Sequence, residues 1–108
     1  MIIEQRVRDY LAANTGITVV LEYPERPEAS FILAARTGGG GEFVRRATFA
    51  IQSYAAAELN ETVKKVMSRF AAETNISACR LNSDYEFTDT SKKRYRYQAV
   101  YEIYYMED

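Results

Sequence analysis

Apolar residues return at Ile3, Val7, Tyr10 and Leu11 at the start of the chain, the spacing of one helix face. Glu4 and Arg8 stand four apart, in the favourable order for a weak surface pair. Asn14-Thr15-Gly16 follows as a stop, because asparagine and glycine accept left-handed backbone. The pattern then changes. Ile17 to Tyr23 is rich in β-branched residues and reads as a first strand. Pro24-Glu25-Arg26-Pro27-Glu28 is a turn, since neither proline can donate to a ladder. Ser30 to Arg36, with Phe31, Leu33 and Ala35 on one side, makes a second strand. Phe43 to Gln52, with Ala47, Phe49 and Ile51 on one side, makes a third. Gly38-Gly39-Gly40-Gly41 lies between these two as a hairpin tip.

Ser53 has the chemistry of an N-cap for a longer helix. Ala56, Leu59, Val63, Val66, Met67 and Phe70 form its apolar stripe, and acids lie early and bases late, which suits the helix dipole. The stripe predicts a helix of about 20 residues ending at Glu73, before Thr74-Asn75. A fourth strand runs from Ile76 to Phe87, with a bulge expected where Asn82 and Asp84 interrupt it. Asp89 to Lys93 is a polar turn, and Arg94 to Tyr104 is a fifth strand with the clearest alternation in the chain. The order α-β-β-β-α-β-β predicts one α+β domain over residues 1–108. Its sheet is mainly antiparallel, of about five strands, with two helices packed on one face. The first three strands are expected to form a meander, and the last two a hairpin reached through the long helix. Two helices cannot cover both faces of such a sheet, so the second face needs a polar coat or a partner.

Composition narrows the chemistry. The 108 residues carry 14 Lys and Arg against 15 Asp and Glu, which argues against a strongly basic nucleic-acid binder. The absence of His excludes His-based triads and most zinc and iron sites. A single Cys rules out an internal disulfide and a Cys cluster. The first ten residues carry four charges and lack the apolar centre of a signal peptide, and no segment reaches the ~20 apolar residues of a membrane span. The expectation is a soluble protein made in the cytoplasm.

Several clusters have a chemical and a plain reading. The glycine run is no P-loop, because Glu42-Phe43-Val44 opens a strand where a P-loop needs Lys and Ser or Thr opening a helix. A flexible tip that orders on docking is the stronger reading. Arg94-Tyr95-Arg96-Tyr97 has the basic and aromatic residues of a single-strand nucleic-acid binder. In a strand, however, Tyr95, Tyr97 and Tyr101 point one way, and Arg94, Arg96, Gln98 and Glu102 the other. Rings and cations then share no platform, and tyrosine is as well suited to a protein interface. Arg45-Arg46 sends one guanidinium to each face, for a structural or intersubunit ion pair. Cys79 reads as a small core residue, without the neighbours of a reactive thiol. Asp84 and Glu86 share a face, which leaves a small Tyr and carboxylate acid–base enzyme as a rival reading.

The order of these elements, with Pro24-Glu25-Arg26-Pro27, Arg36-Thr37-Gly38-Gly39, Tyr54-Ala55-Ala56-Ala57-Glu58-Leu59 and Arg94-Tyr95-Arg96-Tyr97, resembles the tail-completion or tail-terminator proteins of long-tailed bacteriophages and prophages. The resemblance spans about Val7 to Tyr104. The chain departs from the family where it reads Gln52-Ser53-Tyr54 in place of a Trp, and Asp89-Thr90 in place of Asp-Pro. The resemblance implies a non-enzymatic assembly protein without cofactor or metal. Such proteins form a ring, usually a hexamer, on the head-proximal end of the tail tube, stop its growth and join it to the head. The implied partners are copies of itself, the tail-tube protein and head–tail connector proteins, with DNA only passing through and no membrane. The implied location is the virion tail, and the host cytoplasm before assembly. Head–tail connector proteins of the phage neck are the nearest alternative. Candidate interface residues are Thr37, Gly38, Gly39, Gly40, Gly41, Arg45, Arg46, Arg94, Tyr95, Arg96, Tyr97 and Tyr104, on the glycine hairpin, the third strand and the last strand.

Overall fold

The computed structural model describes residues 2–26, 29–41, 44–54, 57–89 and 94–106; for 57, 85–89, 94 and 95 it describes the backbone alone. Pro27-Glu28, Glu42-Phe43, Ala55-Ala56 and residues 90–93, where a polar turn is expected, lie outside the described residues. The elements are α1 (Ile3–Thr15), β1 (Val19–Val20), β2 (Phe31–Gly40), β3 (Val44–Tyr54), α2 (Ala57–Met67), α3 (Phe70–Thr74), β4 (Ala78–Asp89) and β5 (Arg94–Met106). They build an α+β fold in which one five-stranded sheet has the order β1-β2-β3-β5-β4. β2, β3, β5 and β4 pair antiparallel in turn.

The helix side of the sheet holds the main core. Ile32 and Ala34 of β2, Ala47, Phe49 and Ile51 of β3, and Ala99, Tyr101, Ile103 and Tyr105 of β5 are buried there. Against them lie Ile3, Val7 and Leu11 of α1, Val63, Val66 and Met67 of α2, and Phe70 of α3. Alternation along each strand is what sends every second side chain to this side. α1 ends as its residues dictate: Gly16 takes φ 69° and its N–H donates to Ala12 O at 3.0 Å.

Four details depart from the sequence expectation. β1 is only Val19–Val20, and it pairs parallel with β2, so the first three strands are not a meander. The turn residues after Val20 carry the chain back, and Ile32 N–H donates to Thr18 O at 2.9 Å. The glycine run is mostly ladder: Gly38, Gly39 and Gly40 pair with Thr48, Ala47 and Arg46. Ser53 is no cap. It continues the inward alternation of β3 and is fully buried. The long helix is two helices, for a total of three, because Arg69 N–H bonds Val66 O, three residues back, and tightens the chain there. The stripe still reads as continuous because the tight turn returns Phe70 to the core.

The expected bulge in the fourth strand is present, at Asn82 between Leu81 and Ser83. A second bulge, at Thr37, interrupts β2 between Arg36 and Gly38.

Candidate assembly interface

The face away from the helices is closed over part of its length only. At one end Phe31, Leu33 and Tyr54 form a separate buried cluster with Val20 and Ala35 packed on it. The Phe31 and Tyr54 rings stack at 4.4 Å, and Tyr23, from the turn after β1, meets both edge-on. Next to it Gln52 Nε2 donates to Gln98 Oε1 at 3.0 Å across the strands, and Tyr54 OH donates to Gln52 Oε1 at 3.0 Å. This end thus has both an aromatic cover and a polar coat.

The opposite end is bare. Register places Gly40, Arg46, Tyr104 and Ala78 in one row across β2, β3, β5 and β4. A shallow depression of about 340 Å³ lies there, lined by Gly40, Gly41, Val44, Arg46 and Tyr104. Val44 pairs with Met106 beside it, and both are unusually exposed for their type, at 48 % and 56 %. Tyr104 is half-buried and its hydroxyl donates to Glu102 Oε2 at 3.1 Å, which fixes the ring over the row.

The glycines differ in why they are glycine. Gly39 has φ 154°, and a Cβ there would stand 2.3 Å from Arg46 O. Gly41 has φ 108°, and a Cβ would stand 2.2 Å from Val44 O. Both positions demand glycine. Gly38 and Gly40 have ordinary φ and room for a side chain, so their effect is to leave the strand surface bare. Arg36 braces the hairpin from the helix side: its Nη1 donates to Glu4 Oε1 at 2.7 Å and its Nε to Gly38 O at 3.2 Å. The bond to Glu4 pushes the Arg36 pKa above its ordinary value, with Tyr105 adding to it, so the brace stays charged.

The candidate residues therefore fall into groups. Gly38, Gly39, Gly40, Gly41, Arg46 and Tyr104 come together, with Thr37 at the bulge and its hydroxyl 3.4 Å from Thr48 O. Arg45 pairs with Tyr105 and so belongs to the helix side. Arg96 pairs with Tyr54, eight residues and about 27 Å further along β3. Tyr97 pairs with Ser53 and points to the helix side, so Arg96 and Tyr97 share no platform. The side chains of Arg94 and Tyr95 lie outside the described residues. Sequence reasoning missed Arg36, Val44 and Met106. Val44 and Met106 carried a usable signal, as apolar residues at the strand ends next to the glycine tip.

The rival chemistry looks different in place. Asp84 faces the helices and is held by Lys64 Nζ at 2.5 Å, which also bonds Glu61 at 2.9 Å. These two carboxylates raise the Lys64 pKa, Asp84 first, and make the trio a tie between α2 and the edge strand. The Glu86 side chain lies outside the described residues. Burial pushes the Cys79 thiol up to about 11, which keeps it protonated and a poor nucleophile. No cluster of three metal-ligating side chains occurs among the described residues, and no helix of them is long and apolar enough to cross a membrane. No model of a known protein family matches the chain, and no curated protein matches it.

Proposed function

We propose that the chain is a non-enzymatic assembly protein that joins copies of itself into a ring on the head-proximal end of a phage tail tube, where it stops tube growth and receives the head. The observation that carries this reading is the bare end of the open sheet face. There Gly40, Arg46 and Tyr104 make one row beside exposed Val44 and Met106, while the far end of the same face is sealed by the chain's own aromatics. A surface with exposed apolar residues, an arginine and a tyrosine around a glycine strip has the composition of a protein interface. The sequence resemblance supplies the kind of assembly. A ring needs two different patches on each subunit, so that contacts run head to tail and close.

The test is removal of the gene from the phage that carries it. The expected result is tails of unregulated length that fail to join filled heads. Tails of normal length joined to heads would overturn the reading. A phage neck connector, the nearest alternative, predicts normal tail length with the joining defect alone.

A further inference from the structure

The two patches that a ring requires can be read from the sheet edges, and this step rests on the proposed assembly role. β1 covers the outer side of β2 only at Ile32 and Leu33. Ile32 N–H points to that side, where it meets Thr18 O. The backbone groups of Arg36, four residues on, face the same way with no strand opposite among the described residues, and Arg36 to Gly40 are all exposed, whereas Ala34 is covered. The other end of the sheet order is β4, whose residues Arg80 to Asp84 are all exposed. Each molecule thus has two unlike open edges.

These edges match in three respects. Three successive antiparallel pairings separate β2 from β4, so the two strands run in opposite directions. A neighbour placed in the same orientation would set its β4 antiparallel to β2, the stronger pairing. The free segment Arg36–Gly40 spans the same rows of the sheet as Ala78–Leu81: Gly40 is level with Ala78, Gly38 with Arg80, Arg36 with Leu81. Each edge also carries one bulge, Thr37 and Asn82, on either side of the row that holds Arg36, Phe49, Tyr101 and Leu81. A bulge normally spoils an edge for an unmatched strand. Two bulges one row apart leave such an edge able to accept a strand bulged at the same height. The absence of a side chain at Gly38 leaves space for the larger Arg80 level with it.

The geometry points to a second copy of this chain as the occupant of each edge: β2 from Arg36 to Gly40 pairs antiparallel with Ala78 to Leu81 of the next copy, continuing one sheet around the ring. All helices then lie on one side of that sheet, and the face bearing Gln52, Gln98, Arg46 and Tyr104 on the other.

Paired cysteines test this. Within one chain β2 and β4 are three strand spacings apart, about 14 Å, too far for a disulfide. The variant Gly38→Cys with Arg80→Cys, in a Cys79→Ser background, can cross-link only between copies. Both positions accept the change, since Gly38 has room and Arg80 is exposed. Gly40→Cys with Ala78→Cys gives a second pair two rows away on the same face. Under oxidation at high protein concentration the expected result is a ladder of covalent oligomers ending at one closed size, for both pairs, with each single variant stopping at dimers. Circular dichroism of the reduced protein checks that the fold is kept. No ladder from either pair would overturn the edge pairing. Rings seen by electron microscopy without a ladder would do so while leaving the assembly role standing. A ladder from a protein whose gene deletion leaves tails normal would keep the pairing and remove the role.

Discussion

The two ends of the open sheet face are made of the same strands and solve opposite problems. At the sealed end, Phe31 and Tyr54 stack and Tyr23 folds over them from the turn after β1. Burial there is completed within the chain. At the bare end, glycines replace side chains, no turn among the described residues returns to cover the surface, and Val44 and Met106 stay exposed. An apolar surface that a chain can cover and does cover contributes to its own stability. One left open contributes only when something else arrives. The sealed end therefore belongs to folding and, in the proposed role, the bare end is left to assembly, and substitutions should separate the two.

The largest contrast is between Phe31→Ala and Met106→Ala. Phe31 is 1 % exposed and stacked, so its loss should cost about 3–5 kcal/mol in urea unfolding. Met106→Ala should stay within about 0.5 kcal/mol, as for other exposed sites. Similar losses from the two would erase the distinction. Next come the glycines. Gly39→Ala should destabilise by about 1–3 kcal/mol, because positive φ and the Arg46 carbonyl both oppose a Cβ. Gly40→Ala should be neutral or stabilising by up to about 1 kcal/mol, since the space is open and the unfolded chain becomes stiffer. An equal cost at both positions would mean that the whole run is glycine for backbone reasons.

Much of this arrangement was legible in the chain. The α1 face of Ile3, Val7 and Leu11 and the alternation of β3 and β5 place the core directly, because period reports burial. Asn82 announced the β4 bulge, being polar in the middle of a strand. The glycine run was harder. Glycine has no side chain to reveal a face, so ladder and loop look alike, and only pairing with Arg46, Ala47 and Thr48 distinguishes them. Ser53 was misleading because serine caps helices far more often than it is buried in a strand. That Gly40, Arg46 and Tyr104 form one row was not legible at all. It depends on register between strands distant in sequence, which alternation within each strand leaves free.

A smaller pair of effects contrasts two tyrosine hydroxyls, one on each face. Tyr54 OH, at the sealed end, donates to Gln52, so Tyr54→Phe should cost about 0.5–1.5 kcal/mol. Tyr101 OH is buried on the helix side without a hydrogen-bond partner among the described residues, and burial raises its pKa. Tyr101→Phe should therefore be neutral or stabilising, as removal of the hydroxyl ends an uncompensated desolvation. The denaturant midpoint should fall for Tyr54→Phe and hold level or rise for Tyr101→Phe. A loss at Tyr101 as large as at Tyr54 would show that the Tyr101 hydroxyl has a partner in solution.

The last effect is on pH and concerns the covered side beneath the bare end, where Cys79 pairs with Ile103. Burial raises its thiol from 9.0 to about 11 in the folded protein. Between those values the unfolded chain has lost the proton that the folded chain still holds. Stability from this group is thus fully present below about pH 9 and declines as pH rises to about 11. Lys64 and Tyr101, also raised, act with the same sign, Lys64 from 10.5 and Tyr101 from 10.0 upward. Wild type against Cys79→Ala isolates the thiol. The alanine variant should start less stable, from lost packing, and should lose less between pH 9 and 11. Urea midpoints followed over that range should converge as pH rises. Parallel curves would mean that Cys79 is wetted in solution, and that the opening at the bare end reaches through the sheet edge to the covered side.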